Sequence, residues 1–108
     1  MRSKYGNKKT ILCGITFDSK REAERYLELK SMQQRGEISS LELQKVYILA
    51  ESVIINGRKK PALRYIADFV YVQDGKIITN DSKGMLTDVY KVKRHLMKSV
   101  LNIDILES

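Results

Sequence analysis

The amino-acid sequence predicts one mixed α/β domain, ordered helix, three strands, helix, strand about a central mixed sheet. Three observations predict it. A capping signature opens a helical pattern at Ser19, and two turn dipeptides, Asn56-Gly57 and Asp74-Gly75, join strand-like runs. A second helical pattern then opens at Thr87-Asp88, after Gly84 has broken the last run. At 108 residues the chain holds one hydrophobic core and not two. The domain therefore spans 1–108, with a basic N-terminal arm at about 1–10.

The first helix runs from about Ser19 to Gln34. Ser19-Lys20-Arg21-Glu22 fits the capping box, and Gly36 stops the helix. Leu41 to Ile55 reads as one strand, turned back by Asn56-Gly57. Tyr65 to Val72 is a strand apolar on both faces except at Asp68, and Lys76 to Lys83 is its return partner across Asp74-Gly75. The second helix reaches about Val100. Leu101, Ile103 and Ile105 alternate with Asn102 and Asp104, as a short final strand at Ile103 to Leu106 would. That tail either closes the domain's own sheet or offers a dimer surface.

Composition narrows the function. One cysteine, Cys13, and one histidine, His95, exclude a disulfide framework, a multi-Cys zinc site and a multi-histidine catalytic site within the chain. Cys13 reads as a small apolar filler, and His95, in a basic helical run, as a phosphate contact or surface residue. No run approaches the ~20 apolar residues of a membrane span. The polar, basic start at Met1–Lys9 does not read as a secretory signal, so a reducing cytoplasm is expected. Twenty Lys and Arg against 13 Asp and Glu leave a net charge of +7. In so small a domain that points to a polyanion, nucleic acid first and an anionic membrane surface second. The cations cluster in three blocks. Lys8, Lys9, Lys20 and Arg21 lie early, Arg58, Lys59 and Lys60 flank the single proline, and Lys91, Lys93 and Arg94 lie late. Tyr5, Tyr65 and Tyr71 are either base-stacking residues or core.

The second hairpin concentrates chemistry. With Gln73 opposite Lys76, five steps back along each strand bring Asp68 opposite Asp81. Directly opposed side chains lie about 4.5–5.5 Å apart at Cβ, where like charges repel. Lys83 lies two residues beyond Asp81 and projects from the same face. Asp68 is also expected to share a face with Ile66 and Val70, where a charge must be paired or bind a metal. Two uses fit the cluster: a hard divalent cation, Mg²⁺ or Mn²⁺, on the carboxylates, or an ion pair in which Lys83 neutralises them. At about 100° per residue Glu22 shares the helix face of Tyr26 and Leu29, while Glu24 and Glu28 face solvent. Glu22 is thus the helix acid that looks inward, a role compatible with capping.

These residues carry a resemblance. Phe17-Asp-Ser-Lys-Arg-Glu22-Ala-Glu-Arg-Tyr26, Ile66-Ala-Asp68-Phe-Val-Tyr71 and Asn80-Asp81-Ser-Lys83-Gly84 together resemble the PD-(D/E)xK nuclease superfamily. More narrowly, the chain is similar to a family of small phage-associated proteins of that superfamily. Leu41-Glu-Leu-Gln44 and Thr87-x-x-Tyr90-x-x-Lys93 extend the similarity over about residues 5 to 100. The resemblance implies a restriction-endonuclease-like α-β-β-β-α-β core, with Asp68 and Asp81 as metal ligands and Lys83 beside the attacking water. It implies the Ser82 backbone carbonyl as a further ligand and Glu22 as an outer or direct one. Ala67 stands where the superfamily's name has proline, and Asn80 where relatives often have an acid.

The implied activity is Mg²⁺- or Mn²⁺-dependent hydrolysis of DNA phosphodiesters. By analogy with junction resolvases, which are dimers of bare cores, the expected enzyme is a homodimer selective for branched DNA in phage recombination or processing. The alternative is a non-catalytic nucleic-acid-binding or assembly protein that retains the nuclease fold.

Overall fold

In the computed structural model, described over residues 9–83 and 85–108, the chain forms two helices and eight strands. The expected N-terminal arm, with Tyr5 and Lys8, lies outside the described residues except for Lys9 and Thr10, and Gly84 lies outside them as well.

Helix α1 spans Lys20–Gln34. Ser19 caps it, its side chain accepting a hydrogen bond from the Glu22 amide, which satisfies one of the helix's orphan donors. The far end closes as a Schellman motif: Gly36 takes φ +77°, its amide donates to Gln33, and the Glu37 amide donates to Met32. Helix α2, Asp88–Leu101, is capped by Thr87 and ends at left-handed Asn102.

Four strands form the central sheet, in the order β3-β6-β7-β8. β3 (Ser39–Ala50), β6 (Leu63–Gln73) and β7 (Lys76–Asp81) pair antiparallel, and β8 (Ile105–Glu107) adds parallel to β7 after the α2 crossover. The sheet is therefore mixed, and its elements follow the expected order. The tail strand closes the domain's own sheet. Asp74-Gly75 turns β6 into β7 with both residues at positive φ, and Gln73 pairs with Lys76 in the expected register.

Two short ribbons add to this plan. β1 (Thr10–Leu12) and β2 (Ile15–Phe17) meet at Cys13-Gly14, which corrects the reading of Cys13. It is exposed, with φ 52°, because it is a turn residue and not a filler. The expected strand from Leu41 to Ile55 is two strands. It breaks at Glu51-Ser52, and β4 (Val53–Ile55) pairs with β5 (Arg58–Lys60) around Asn56-Gly57.

The core divides between the two faces of the sheet. On one, Phe17, Ala23, Tyr26, Leu29 and Ile38 pack on Phe69 and Tyr71. On the other, Tyr90 and Met97 pack on Leu49, Tyr65, Ala67 and Val70. Each fully buried side chain of this size contributes roughly 1.5–3 kcal/mol relative to exposure.

The side-chain alternation does not run unbroken along β3 or β6. Leu41 and Leu43 join the α1 cluster, whereas Tyr47 and Leu49, two and three steps of two further on, join the α2 cluster. The same change occurs in β6 between Ala67 and Phe69. At the crossing lie Gln44, with φ 55°, and Asp68, the one position between Glu42 and Ile48 where the β3–β6 pairing lapses. Strict alternation requires extended residues, and one left-handed residue resets which face the next side chain takes. In β6, which has no left-handed residue, the change falls at Asp68, and Ile66 and Val70 do not share the buried surroundings expected for it: Ile66 is 45% exposed while Val70 is buried.

Candidate functional site

The hairpin of β6 and β7 brings two acids together where its ladder ends. Phe69–Asn80 is the last pair in register, and Asp68 and Asp81 follow it. Asp68 is half-buried, and one carboxylate oxygen accepts the Ser82 amide at 3.0 Å. Asp81 is 1% exposed. Its Oδ2 accepts the Tyr65 hydroxyl at 2.5 Å and meets Lys83 Nζ at 3.1 Å, while its buried Oδ1 has no hydrogen-bond partner among the described residues. The Lys83 ammonium also lies 4.6 Å from the centre of the Tyr90 ring. Asp68 and Asp81 are thus neighbours just beyond the last paired residues of the expected register, and Lys83 meets Asp81.

The electrostatics follow from crowding. Burial, then the neighbouring Asp81 carboxyl, pushes Asp68 up to about 8. Asp68 therefore keeps its proton near neutrality. Tyr65 is held well above the ordinary tyrosine range by burial and by its bond to Asp81.

Glu22 is buried on the α1 face that carries Ala23, Tyr26 and Leu29, and Glu24 is exposed, both as expected. Its carboxylate accepts Gln44 Nε2 at 3.2 Å. Burial raises its pKa, and Asp18 and Asp81 add to the effect. Glu22 therefore feels the Asp81 charge, but it does not complete a cage: among the described residues no group of three or more His, Cys, Asp or Glu side chains is arranged to hold a metal ion. The structure ties Glu22 to Gln44 and, among the described residues, not into a metal-holding group with the two aspartates.

Asn80 points to the other face. It is 0% exposed, accepts Arg25 Nε at 2.8 Å and donates to the Leu106 carbonyl at 2.8 Å and to Ser108 Oγ at 3.1 Å. It ties α1, β7 and β8 together. Ser82 Oγ reaches Ser108 Oγ at 3.3 Å, and the Ser108 amide donates to the Asp81 carbonyl at 2.9 Å. Residues 105–108 thus brace the acid-bearing strand.

The cationic candidates separate. Lys9, Lys91 and the Arg58, Lys59 and Lys60 block are exposed, and Lys93 is half-buried. Lys20 lies 4.0 Å from Glu24, Arg21 Nε donates to the Ser108 carbonyl, and Arg94 is engaged by Glu107 at 2.9 Å. Arg21 and Arg94 are therefore partly committed within the chain. Tyr65 and Tyr71 are buried, which removes them as base-stacking residues; His95 is exposed on α2. The residues that sequence reasoning passed over are Tyr65 as a donor to Asp81 and Gln44 as the link to Glu22. Gln44 carried a signal in the Leu41-Glu-Leu-Gln44 similarity. Tyr65 carried none beyond its strand position.

Fold and site together define a mixed α/β protein with a buried aspartate pair and a lysine at the end of its central hairpin. The chain belongs to the family described as protein of unknown function DUF1064, whose profile matches residues 2–103. No curated protein and no solved structure matches it. No helix among the described residues is long and apolar enough to cross a membrane.

Proposed function

We propose that the protein is a metal-dependent endonuclease of the PD-(D/E)xK type that hydrolyses DNA phosphodiesters. The observation that carries the reading is Asp81: a fully buried carboxylate with one oxygen unpartnered among the described residues, beside a second acid and 3.1 Å from a lysine. A buried acid with an open coordination position suits an oxygen-seeking cation. Mg²⁺ commonly uses one or two carboxylates and keeps several waters, so two aspartates suffice where a cage of three is absent. Asp68 and Asp81 would hold the ion, with the Ser82 carbonyl as a further donor and Glu22 acting from outside through Gln44. Bound there, Mg²⁺ or Mn²⁺ supplies Lewis-acid charge for phosphodiester hydrolysis. Lys83 holds a cation over the same point, where it orients a nucleophile and offsets charge developing on phosphate. Tyr65 fixes the Asp81 carboxylate. The element order of helix, three antiparallel strands, helix and parallel strand supports the resemblance to that superfamily's core.

Within this reading the preferred substrate is branched DNA, cut by a homodimer as Holliday-junction resolvases do, in phage recombination or processing within the host cytoplasm. A two-fold dimer presents two sites to two strands. The test is cleavage of duplex, flap, single-stranded and four-way-junction DNA with Mg²⁺ or Mn²⁺, alongside sedimentation of the protein with and without junction. Metal-dependent cutting of the junction in preference to duplex is the expected result. No cutting of any substrate, with DNA still bound, leaves the non-catalytic binding protein as the answer.

A further inference from the structure

The β4–β5 ribbon takes no part in either core. Residues 51–61 are all exposed, and the ribbon continues outward from the paired β3 and β6 strands. It carries three cations, Arg58, Lys59 and Lys60, and three aliphatic side chains, Val53, Ile54 and Ile55, of which Ile54 is 74% exposed. Between Val53 and Lys60 there is no acid. Its register pairs Ile54 with Lys59, and Val53 and Ile55 with Lys60 and Arg58. Directly paired residues share a face, so each face sets aliphatic groups beside cations. A protein partner covering these aliphatics would need acids at the same spacing on both faces. A duplex major groove supplies that pattern as one object, with thymine methyls among the base edges at its floor and phosphates along both walls.

A cleft of about 500 Å³ leads from the site toward this ribbon. Lys83 lies at one end, Ala62 and Leu63 at the ribbon's base, and Arg64 and Lys93 between them, with no acid in its lining. From the Asn56-Gly57 tip to Asp68 is 11–12 residues of mostly extended chain, at most about 35–40 Å at strand rise. That is close to one turn of B-DNA, about 34–36 Å.

We infer that the β4–β5 ribbon is a nucleic-acid arm: it enters the major groove of a duplex about one turn from the phosphate held at Lys83, and the Arg64–Lys93 cleft carries the backbone between them. A two-stranded ribbon fits the major groove in width, and aliphatic groups there meet thymine methyls. The inference rests on the nuclease reading for what happens at Lys83, but not for binding.

The test measures anisotropy of labelled duplexes of about 20 and about 8 base pairs, in EDTA, across a salt series. Arg58→Ala/Lys59→Ala/Lys60→Ala is expected to weaken binding of the long duplex about 10- to 100-fold and to reduce the salt slope by about two to three. On the short duplex, which cannot span both contacts, the same variant changes little. Ile54→Ser/Ile55→Ser is expected to cost several-fold on the long duplex with the slope unchanged. All five positions are exposed, so circular dichroism should match the wild type. Unchanged affinity and slope in the triple variant overturn the inference. So does an Ile54→Ser/Ile55→Ser variant that binds DNA normally but loses self-association in sedimentation, because the ribbon is then an interface between copies. Ribbon-dependent binding without metal-dependent cutting defeats the nuclease reading alone. Cutting with an unaffected triple variant defeats the arm alone.

Discussion

The Tyr65 hydroxyl donates to Asp81 Oδ2 at 2.5 Å across two strands that are not the acid's only support, since Lys83 meets the same oxygen. Tyr65 leaves β6 on the α2 side, stacks near Tyr47 and Tyr90, and places its one polar atom on the buried acid. Tyr65→Phe keeps the ring and removes the donor. A hydrogen bond to a charged group is worth about 1.5–3 kcal/mol, so the variant should unfold earlier in urea by an amount in that range. If Asp81 works in cleavage, turnover should fall with it. Unchanged stability would mean that Lys83 alone satisfies the carboxylate.

Asp68 sets the pH behaviour of the metal-free protein. Its carboxyl titrates near 8 when folded, against an ordinary value of 3.8. Between those values the folded chain binds more protons than the unfolded one, so this group's contribution to stability is full below about pH 4 and is lost as pH rises through 8. Thermal unfolding in EDTA should show the melting temperature dropping between pH 5 and pH 8, and Asp68→Asn should flatten the drop. If the acid pair holds a metal ion, Mn²⁺ at pH 8 should raise the melting temperature of the wild type and not of Asp68→Asn. On the nuclease reading, both Asp68→Asn and Asp81→Asn should abolish cleavage while leaving DNA binding intact.

Lys83 has two possible duties, and one comparison separates them. As a partner of the nucleophile, Lys83→Ala should lower turnover by at least about 10²-fold while Mn²⁺ still raises the melting temperature. As a counter-ion only, the variant should lose stability, with any activity loss tracking the fraction unfolded.

Both turns, and the register of the second, could be read from the sequence because Asn56-Gly57 and Asp74-Gly75 tolerate the left-handed backbone that a two-residue turn demands. From the second followed the meeting of Asp68 and Asp81, and from helical periodicity followed the inward face of Glu22. The β1–β2 ribbon escaped because Cys13-Gly14 takes the same turn with a residue that does not advertise it. The break at Glu51-Ser52 escaped because Val53-Ile54-Ile55 continues the β-rich composition of β3 without a break. Least legible was the crossing at Gln44. A left-handed glutamine inside a strand is set by what surrounds it, including its bond to Glu22, and not by local preference.

The turn at Cys13 gives a test free of function. Asparagine adopts φ near 50° more readily than cysteine, so Cys13→Asn should stabilise the protein by about 0.5–1 kcal/mol. Denaturant unfolding under reducing conditions checks it, and no change would mean that the first ribbon contributes little to the cooperative transition.

The exchange of faces at Gln44 and Asp68 also bears on how the molecule opens. Except for Val70, which packs on the α2 side, each of the two cores takes its half of β3 and β6, and they meet where one inter-strand pairing is missing. Such a seam is a natural boundary between cooperative units. Amides of Leu41, Leu43, Phe69 and Tyr71 should exchange with solvent together with α1, while those of Tyr47, Leu49 and Tyr65 should exchange with α2. Asp68 stands on the line between them and Asp81 follows on the neighbouring strand, so exchange of the Asp68 and Ser82 amides should report which unit opens first.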